Sequence, residues 1–234
     1  MGVAALIGFV AVTLGVFTGL TDHIDHTIAA LARPGDTWGP GQIRAAVVVT
    51  LFQPSVVLWV PLVISLSLSV MHRSLRPLLL AGAVGAVTAL VVTLLKVWIG
   101  RPDVHAGVSH GGSYPSGHTA SLIVCCGLLI MLLRPGRASR LWAAVAAPGA
   151  VMGAALVLEG AHWTTDVVGG GLLAVAVLAV ATALGADRWA AGPTRGRERA
   201  PRGATGGVGQ TVNQAVRTPP LPATGRTSRP APGA

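Results

Sequence analysis

A histidine and an aspartate four residues apart, His162 and Asp166, open the last apolar stretch of the chain. On a helix this spacing brings both side chains to one face. The carboxylate can then hold one imidazole nitrogen and fix the tautomer, which leaves the second nitrogen free to attack an electrophile. The pair therefore predicts a histidine nucleophile with an aspartate that orients it. A structural pair at a helix start is the alternative for this segment taken alone.

A tight turn that suits an anion precedes another apolar stretch. Pro115 and Gly117 favour the turn, and a helix that starts there has unpaired backbone N–H groups that attract negative charge. Ser116 adds a hydroxyl group and His118 a titratable proton. We predict that Ser116 and Gly117 bind phosphate and that His118 acts as an acid and base. An ordinary turn with a surface histidine is the alternative.

Two cations lie at the end of a third apolar stretch. Lys96 is the only lysine in the chain, and Arg101 follows it closely. Ionisable residues at a membrane edge are functional by default, and an arginine fork suits a phosphoryl group. We predict that both residues bind phosphate, with a lysine that snorkels to water as the alternative for Lys96.

The segments that carry these residues interrupt a chain that is too apolar for a soluble domain. Of its residues 52% are hydrophobic and 11% charged. A membrane crossing takes about 20 mainly apolar residues, and backbone in lipid must be helical. The sequence therefore predicts an all-α, six-helix membrane bundle, with a kink at Gln53-Pro54. The six stretches are Val3–Leu20, Ala45–Met71, Leu78–Ile99, Thr119–Leu133, Leu141–Leu158 and Val167–Leu184.

Arginine placement predicts the topology. Basic residues lie between the second and third stretches, between the fourth and fifth, and after the sixth. We expect these segments in the cytoplasm, with both termini, because cytoplasmic loops carry the excess of basic residues. The three segments with candidate site residues then meet at the outer face of the cell membrane.

The end of the chain differs in composition from the rest. Residues 188–234 contain eight arginines and one acid and are rich in Gly and Pro. This composition predicts a disordered tail that contacts anionic lipid head groups rather than nucleic acid. The membrane domain is accordingly predicted to span residues 1–187.

The three polar segments together resemble the motifs of the type 2 phosphatidic acid phosphatase superfamily, which shares its fold with vanadium-dependent haloperoxidases. That family is marked by Lys-x6-Arg-Pro, Pro-Ser-Gly-His and Ser-Arg-x5-His-x3-Asp. Residues 115–118 match the second motif in full, and His162 and Asp166 match the third with their spacing. The resemblance covers roughly residues 22–184.

Two positions depart from the family pattern. The Arg-Pro of the first motif falls on Asp103-Val104, although Arg101-Pro102 stands two positions earlier. The arginine of the third motif falls on Leu156, and no residue near it in the sequence replaces it. We expect the loss of this arginine to weaken phosphate binding or to be compensated from elsewhere.

The resemblance implies a membrane enzyme that hydrolyses a lipid phosphate or pyrophosphate, such as phosphatidic acid or a polyprenyl pyrophosphate. His162 would attack phosphorus, Asp166 would hold its ring, and His118 would serve as acid and base. A degenerate relative that binds or moves a lipid phosphate is one alternative. Haloperoxidase chemistry with bound vanadate is another, against which the six stretches count. The sequence specifies neither the lipid nor the oligomeric state.

The first prediction concerns metal dependence. The resemblance implies a reaction without a metal ion, and the three segments lack the carboxylate cluster that two-metal phosphatases use. We therefore expect phosphate release to be the same before and after treatment with EDTA. Loss of activity that one divalent ion restores would contradict this prediction.

Overall fold

A computed structural model describes residues 2–105, 112–136 and 142–192 of the chain. The chain divides into two units, Met1–Pro193 and Thr194–Ala234. The second unit, which holds most of the predicted tail, lies outside the described residues. So does His110.

Every regular element within the described ranges is helical. The second predicted stretch is interrupted, a short helix follows the last one, and a short 3-10 helix, Pro34–Asp36, follows the second helix. The α-helices are α1 Gly2–Phe17, α2 Asp22–Ala32, α3 Pro40–Leu51, α4 Pro54–Val57, α5 Trp59–His72, α6 Arg76–Ile99, α7 Gly117–Leu133, α8 Trp142–Glu159, α9 Thr164–Ala183 and α10 Ala186–Ala191.

Three helical segments of the described part are long and apolar enough to cross a membrane: Pro40–His72, Arg76–Ile99 and Thr164–Ala183. The bent pair α1 and α2 is a possible fourth, while α7 and α8 are apolar but shorter. Large apolar side chains such as Leu66, Leu90 and Leu94 face outward, as a lipid environment requires. The chain is a membrane protein whose helices follow the order of the six predicted stretches. Six complete crossings stay a prediction.

The predicted kink at Gln53-Pro54 is present. α3 ends at Leu51, and Pro54 begins α4. Proline has no N–H to donate and its ring clashes with the preceding turn, so it is favoured at the first position of a helix and disrupts a helix that would continue from before it. The span Pro40–His72 is thus three helical pieces over 33 residues.

The segment between the first two predicted stretches contains helical structure that the sequence did not predict. It contains α2, which bends 90° from α1. Asp22 and Asp25 lie in its first turn, where negative charge stabilises a helix. The following span also begins earlier than predicted, at Pro40 rather than Ala45.

α7 and α9 form the centre of the bundle. Leu128 of α7 and Leu178 of α9 are completely buried in a cluster that α1 and α6 also join. A second apolar cluster joins α7 to α3 and α8, around Met152 and Leu156. Since both clusters include α7, this helix is held from several sides.

The arginine-rich segments meet at one end of the bundle. The guanidinium of Arg76 lies over the ring of Trp189, 5.8 Å from its centre, and Asp187 accepts a hydrogen bond from the Gly136 N–H at 2.7 Å. These contacts explain why residues 188–191 form part of α10 rather than of the predicted tail. Which side of the membrane this end faces stays a prediction.

Two glycines let the loop before α7 lie directly on α9. A Cβ at Gly169 would overlap the ring of Tyr114, and one at Gly170 would overlap the carbonyl oxygen of Ser116. Tyr114 is completely buried, and its hydroxyl lies 2.7 Å from that of Thr13. Burial raises the pKa of Tyr114 to about 12, so the hydroxyl stays neutral. The Gly-Gly pair thus positions the loop that carries Ser116.

The second prediction tests this close approach. Gly170→Ala should destabilise the protein by about 1–3 kcal/mol because a backbone atom must move to admit the methyl group. Gly171→Ala is the matched control, since its Cβ would make only ordinary van der Waals contacts, with Ile123 Cδ1 at 3.5 Å and Thr119 Cγ2 at 3.8 Å. Thermal unfolding in detergent measures both. Equal melting temperatures for the two variants would contradict the packing described.

Candidate active site

The three polar segments meet at the end of the bundle opposite α10. Backbone bonds connect them: the Ser116 N–H donates to the Asp166 carbonyl at 2.9 Å, and the Ser113 N–H donates to the Arg101 carbonyl at 2.8 Å. The first of these joins the starts of α7 and α9, and the second joins the loop before α7 to the end of α6. Residues remote in the chain thus share one site.

His162 and Asp166 are paired as their spacing predicted. Nδ1 of His162 lies 3.4 Å from Oδ2 of Asp166, which also accepts the Trp163 N–H at 3.1 Å. Asp166 is completely buried, whereas His162 is partly exposed. With Nδ1 facing a carboxylate, Nε2 is the nitrogen left for other chemistry.

His118 lies next to His162. The centres of the two rings are 6.3 Å apart, and their planes make an angle of 68°. His118 stands in the first turn of α7 and His162 just before α9, and the rings meet because these two helix starts are joined. At this separation both rings are within reach of one phosphoryl group placed beside them.

Ser116 is the N-cap of α7. Its Oγ accepts the Thr119 N–H at 3.4 Å and the Thr119 hydroxyl at 3.3 Å. Ser116 is buried, while Gly117 and His118 are partly exposed. Helix starts favour anions, and the predicted contact of the Gly117 N–H with phosphate stays a prediction.

Lys96 reaches across to the loop before α7. Its Nζ donates to the carbonyl oxygens of Gly112 and Ser113, at 2.7 and 3.3 Å. An ammonium group has three donors and no acceptor. Among the described residues, two of these donors hold the loop, and the predicted contact of Lys96 with phosphate stays a prediction.

Arg101 is engaged mainly by carboxylates. Its Nη1 donates to Asp166 Oδ1 at 2.7 Å and its Nη2 to Asp25 Oδ2 at 2.6 Å. Burial opposes its charge, but these hydrogen bonds and the attraction of both carboxylates keep the pKa of Arg101 above its ordinary value. Its predicted contact with phosphate stays a prediction, and the observed contacts make it a bridge between α2 and α9.

Residues 76–190 match the sequence model of the PAP2 superfamily. The chain belongs to this superfamily. A crystal structure of the first transmembrane PAP2 type phosphatidylglycerolphosphate phosphatase from Bacillus subtilis has a similar fold, with a TM-score of 0.62 and 20% identity. The likeness covers 78% of this chain and 94% of the other. No curated protein matches the chain significantly.

In the third motif, Leu156 stands where the family pattern has an arginine. Leu156 is completely buried in the apolar cluster around Met152. Its carbonyl accepts the N–H groups of Gly160 and Ala161 at 3.1 and 3.0 Å. The residue at this position therefore shapes the turn that leads to His162 and offers no charge.

A different arginine lies at the same turn. Arg33, from the end of α2, donates through Nη1 to the carbonyl of Glu159 at 2.9 Å and is paired with Asp36. A Cβ at Gly160 would overlap its guanidinium, and Gly160 also has a φ of +82°, so glycine is required there twice over. His105 also lies at this turn and accepts a hydrogen bond from Arg33 Nη2 at 2.7 Å.

The site includes residues that sequence reasoning missed: Asp25 and Arg33 from α2, and Thr165 from α9. Asp25 and Arg33 precede Lys96 by more than 60 positions, and nothing in their spacing links them to the three motifs. Their one signal was the density of acids and histidines between the first two apolar stretches. Thr165 stands beside Asp166, but its contact with Asp25 depends on the fold.

An apolar cleft adjoins the site. It runs between α4, α6 and α7, has a volume of about 180 Å³, and includes Pro54, Val92, Gly117 and Ser121 in its lining. Gly117 belongs both to the cleft and to the turn beside His118. The polar end and the apolar flank of an amphiphilic molecule would therefore find neighbouring surfaces.

Three acidic residues lie around Arg101. Asp22, Asp25 and Asp166 all approach its guanidinium, which supplies the positive charge between them. Within residues 2–105, 112–136 and 142–192, no group of three or more His, Cys, Asp or Glu side chains is arranged to hold a metal ion.

Proposed function

We propose that this chain hydrolyses a lipid phosphate or pyrophosphate through a phosphohistidine intermediate. The observation that carries the proposal is the pair of imidazoles, 6.3 Å apart between ring centres, one of which has its Nδ1 against a buried carboxylate. Membership of the PAP2 superfamily supports the reaction class. The structural neighbour's name, a phosphatidylglycerolphosphate phosphatase, supports it further.

In the first step, Nε2 of His162 attacks phosphorus and the bond from phosphorus to the leaving oxygen breaks. His118 protonates that oxygen. The leaving group is then a neutral lipid alcohol when the substrate is a lipid phosphate, and the lipid monophosphate when the substrate is a pyrophosphate. Asp166 stabilises the positive charge that develops on the ring of His162.

In the second step, His118 accepts a proton from water, whose oxygen attacks phosphorus. The bond from phosphorus to Nε2 breaks and inorganic phosphate is released, which restores His162. Lys96, the Gly117 N–H and the turn at Ser116 stabilise the negative oxygens in both steps. The predicted role of Arg101 on phosphate would require one of its guanidinium donors besides those held by the carboxylates.

The substrate class follows from the position of the site. It lies at the ends of apolar helices and beside the cleft that contains Val92 and Gly117. A phosphate head group at the site with a hydrocarbon chain along the cleft fits phosphatidic acid-like lipids and polyprenyl pyrophosphates alike. We place the site at the outer face of the cell membrane, from the arginine pattern at the other end.

A second candidate is a protein that binds a lipid phosphate without cleaving it. Leu156 in place of an arginine, and the pairing of Arg101 with carboxylates, favour this candidate because they leave fewer free cations for catalysis. The paired histidines oppose it, since binding alone requires neither an oriented imidazole nor a second one beside it.

The third prediction tests the roles of the histidines. His162→Ala and His118→Ala should each lower phosphate release by at least about a thousandfold, because each removes an essential group. Purified protein would be assayed with dioleoyl phosphatidic acid and with a polyprenyl pyrophosphate. His72→Ala, which changes an exposed histidine at the end of α5, is the matched control and should keep wild-type turnover.

Near-normal hydrolysis by either site variant would contradict the assigned roles. Wild-type protein that releases no more phosphate than His162→Ala on both substrates, yet binds them, would favour the binding candidate.

The fourth prediction concerns the orienting carboxylate. Asp166→Asn keeps the shape of the side chain but removes the charge that stabilises the developing imidazolium. We expect kcat to fall less than in His162→Ala, by about 10- to 1000-fold, with a smaller change in KM. Wild-type kcat would show that the 3.4 Å contact plays no part in turnover.

A further inference from the structure

Asp25 is a buried acid on a helix that is otherwise largely exposed. Its relative exposure is 1%, whereas Ile24 beside it is 53% exposed. A buried carboxylate is costly unless it is paired and hydrogen-bonded. Its partners therefore indicate what it does.

All the contacts of the Asp25 carboxylate lead to the active site. Oδ1 accepts the N–H of Thr165 at 2.9 Å, and Oδ2 accepts the Thr165 hydroxyl at 2.5 Å and Arg101 Nη2 at 2.6 Å. Thr165 lies in the first turn of α9, next to Asp166. The carboxylate thus caps the start of α9 with its negative charge and anchors the arginine that faces this turn.

The arginine connects Asp25 to the pair that does the chemistry. Arg101 Nη1 donates to Oδ1 of Asp166, whose Oδ2 faces His162. A continuous series of charge-assisted contacts therefore runs from α2 through Arg101 and Asp166 to the nucleophile. Arg101 contacts two carboxylates, so its single positive charge is divided between Asp25 and Asp166.

We propose that Asp25 is a positioning residue for the reaction, which fixes Arg101 and the start of α9 so that Asp166 presents Oδ2 to His162. This inference rests on the proposed function. Asp25 lies before the segment that matches the PAP2 superfamily, residues 76–190, so the N-terminal part of the chain would complete the site.

The alternative for Asp25 is a purely structural role in docking α2. The two differ in what a change of charge does to turnover. A structural residue affects the amount of folded protein and leaves kcat per folded molecule unchanged. A positioning residue lowers kcat in protein that is fully folded, and its effect depends on Asp166.

The test compares Asp25→Asn with Asp22→Asn in the full chain. Asparagine keeps the shape and the acceptor oxygen but removes the charge. Asp22 is the matched control because it is 57% exposed and lies 3.5 Å from Arg101 Nη2. Monodispersity in detergent and melting temperature report folding, and phosphate release from dioctanoyl phosphatidic acid or farnesyl pyrophosphate gives kcat and KM.

We expect Asp25→Asn to lower kcat by about 10- to 100-fold with KM changed less than about twofold, because misplacement of a catalytic group costs turnover. Asp22→Asn should stay within about twofold of wild type. In an Asp166→Asn background the Asp25 change should have less than about a twofold effect, since coupled residues are not additive. Wild-type kcat in Asp25→Asn, or full additivity with Asp166→Asn, would overturn the proposal.

Two further outcomes are decided in the same experiment. If Asp25→Asn does not fold, Thr165→Val replaces it, because it removes the hydroxyl that donates to Asp25 Oδ2 and accepts a hydrogen bond from Arg101 Nη1 at 2.8 Å. A loss of kcat of about threefold or more supports the proposal and wild-type kcat overturns it. If wild-type protein releases no phosphate from either substrate, the proposed function fails. If wild type and Asp25→Asn are equally active, only the inference about Asp25 fails.

Discussion

The buried carboxylate of Asp166 is the constraint on which the rest of the site depends. A negative charge in a bundle of apolar helices is stable only if donors surround it. Asp166 obtains them from Arg101, from the Trp163 N–H and from its position in the first turn of α9, and Nδ1 of His162 lies 3.4 Å from it. The buried guanidinium of Arg101 in turn requires a carboxylate of its own, and Asp25 provides it. The contacts that stabilise this one charge at a helix start thus involve α2, the end of α6 and the loop before α9.

The second condition is close approach. The turn that carries Ser116 and His118 must lie against α9 for the two imidazoles to meet, and side chains at Gly169 and Gly170 would prevent it. The backbone bond from Ser116 to Asp166 is possible only because these residues are glycines. The pairing of charges around Asp166 and the close approach that the two glycines allow therefore both involve α9. The chain belongs to the PAP2 superfamily, and these contacts give a physical reason for its Gly-Gly pair.

Much of this arrangement was predictable from the sequence because its signals are local. Apolar stretches predicted the helices, Pro54 predicted the break, and the spacing of His162 and Asp166 predicted their contact. The helix α2, the continuation of order to Ala191 and the partners of Arg101 were not predictable, since each depends on contacts between remote segments. Arg101 illustrates the difference. Its sequence position suggested a phosphate ligand, whereas its position in the fold, between Asp25 and Asp166, makes it a bridge.

The central claim is that His162 forms a covalent bond to phosphorus with His118 on the other side of the same phosphoryl group. The most direct measurement is rapid quenching of the protein with phosphatidic acid labelled with ³²P in its phosphate group, followed by mapping of the labelled peptide. The account predicts an acid-labile, base-stable label on the peptide that contains His162, and none in His162→Ala. A label on the peptide that contains His118, or turnover without any protein-bound phosphate, would contradict it.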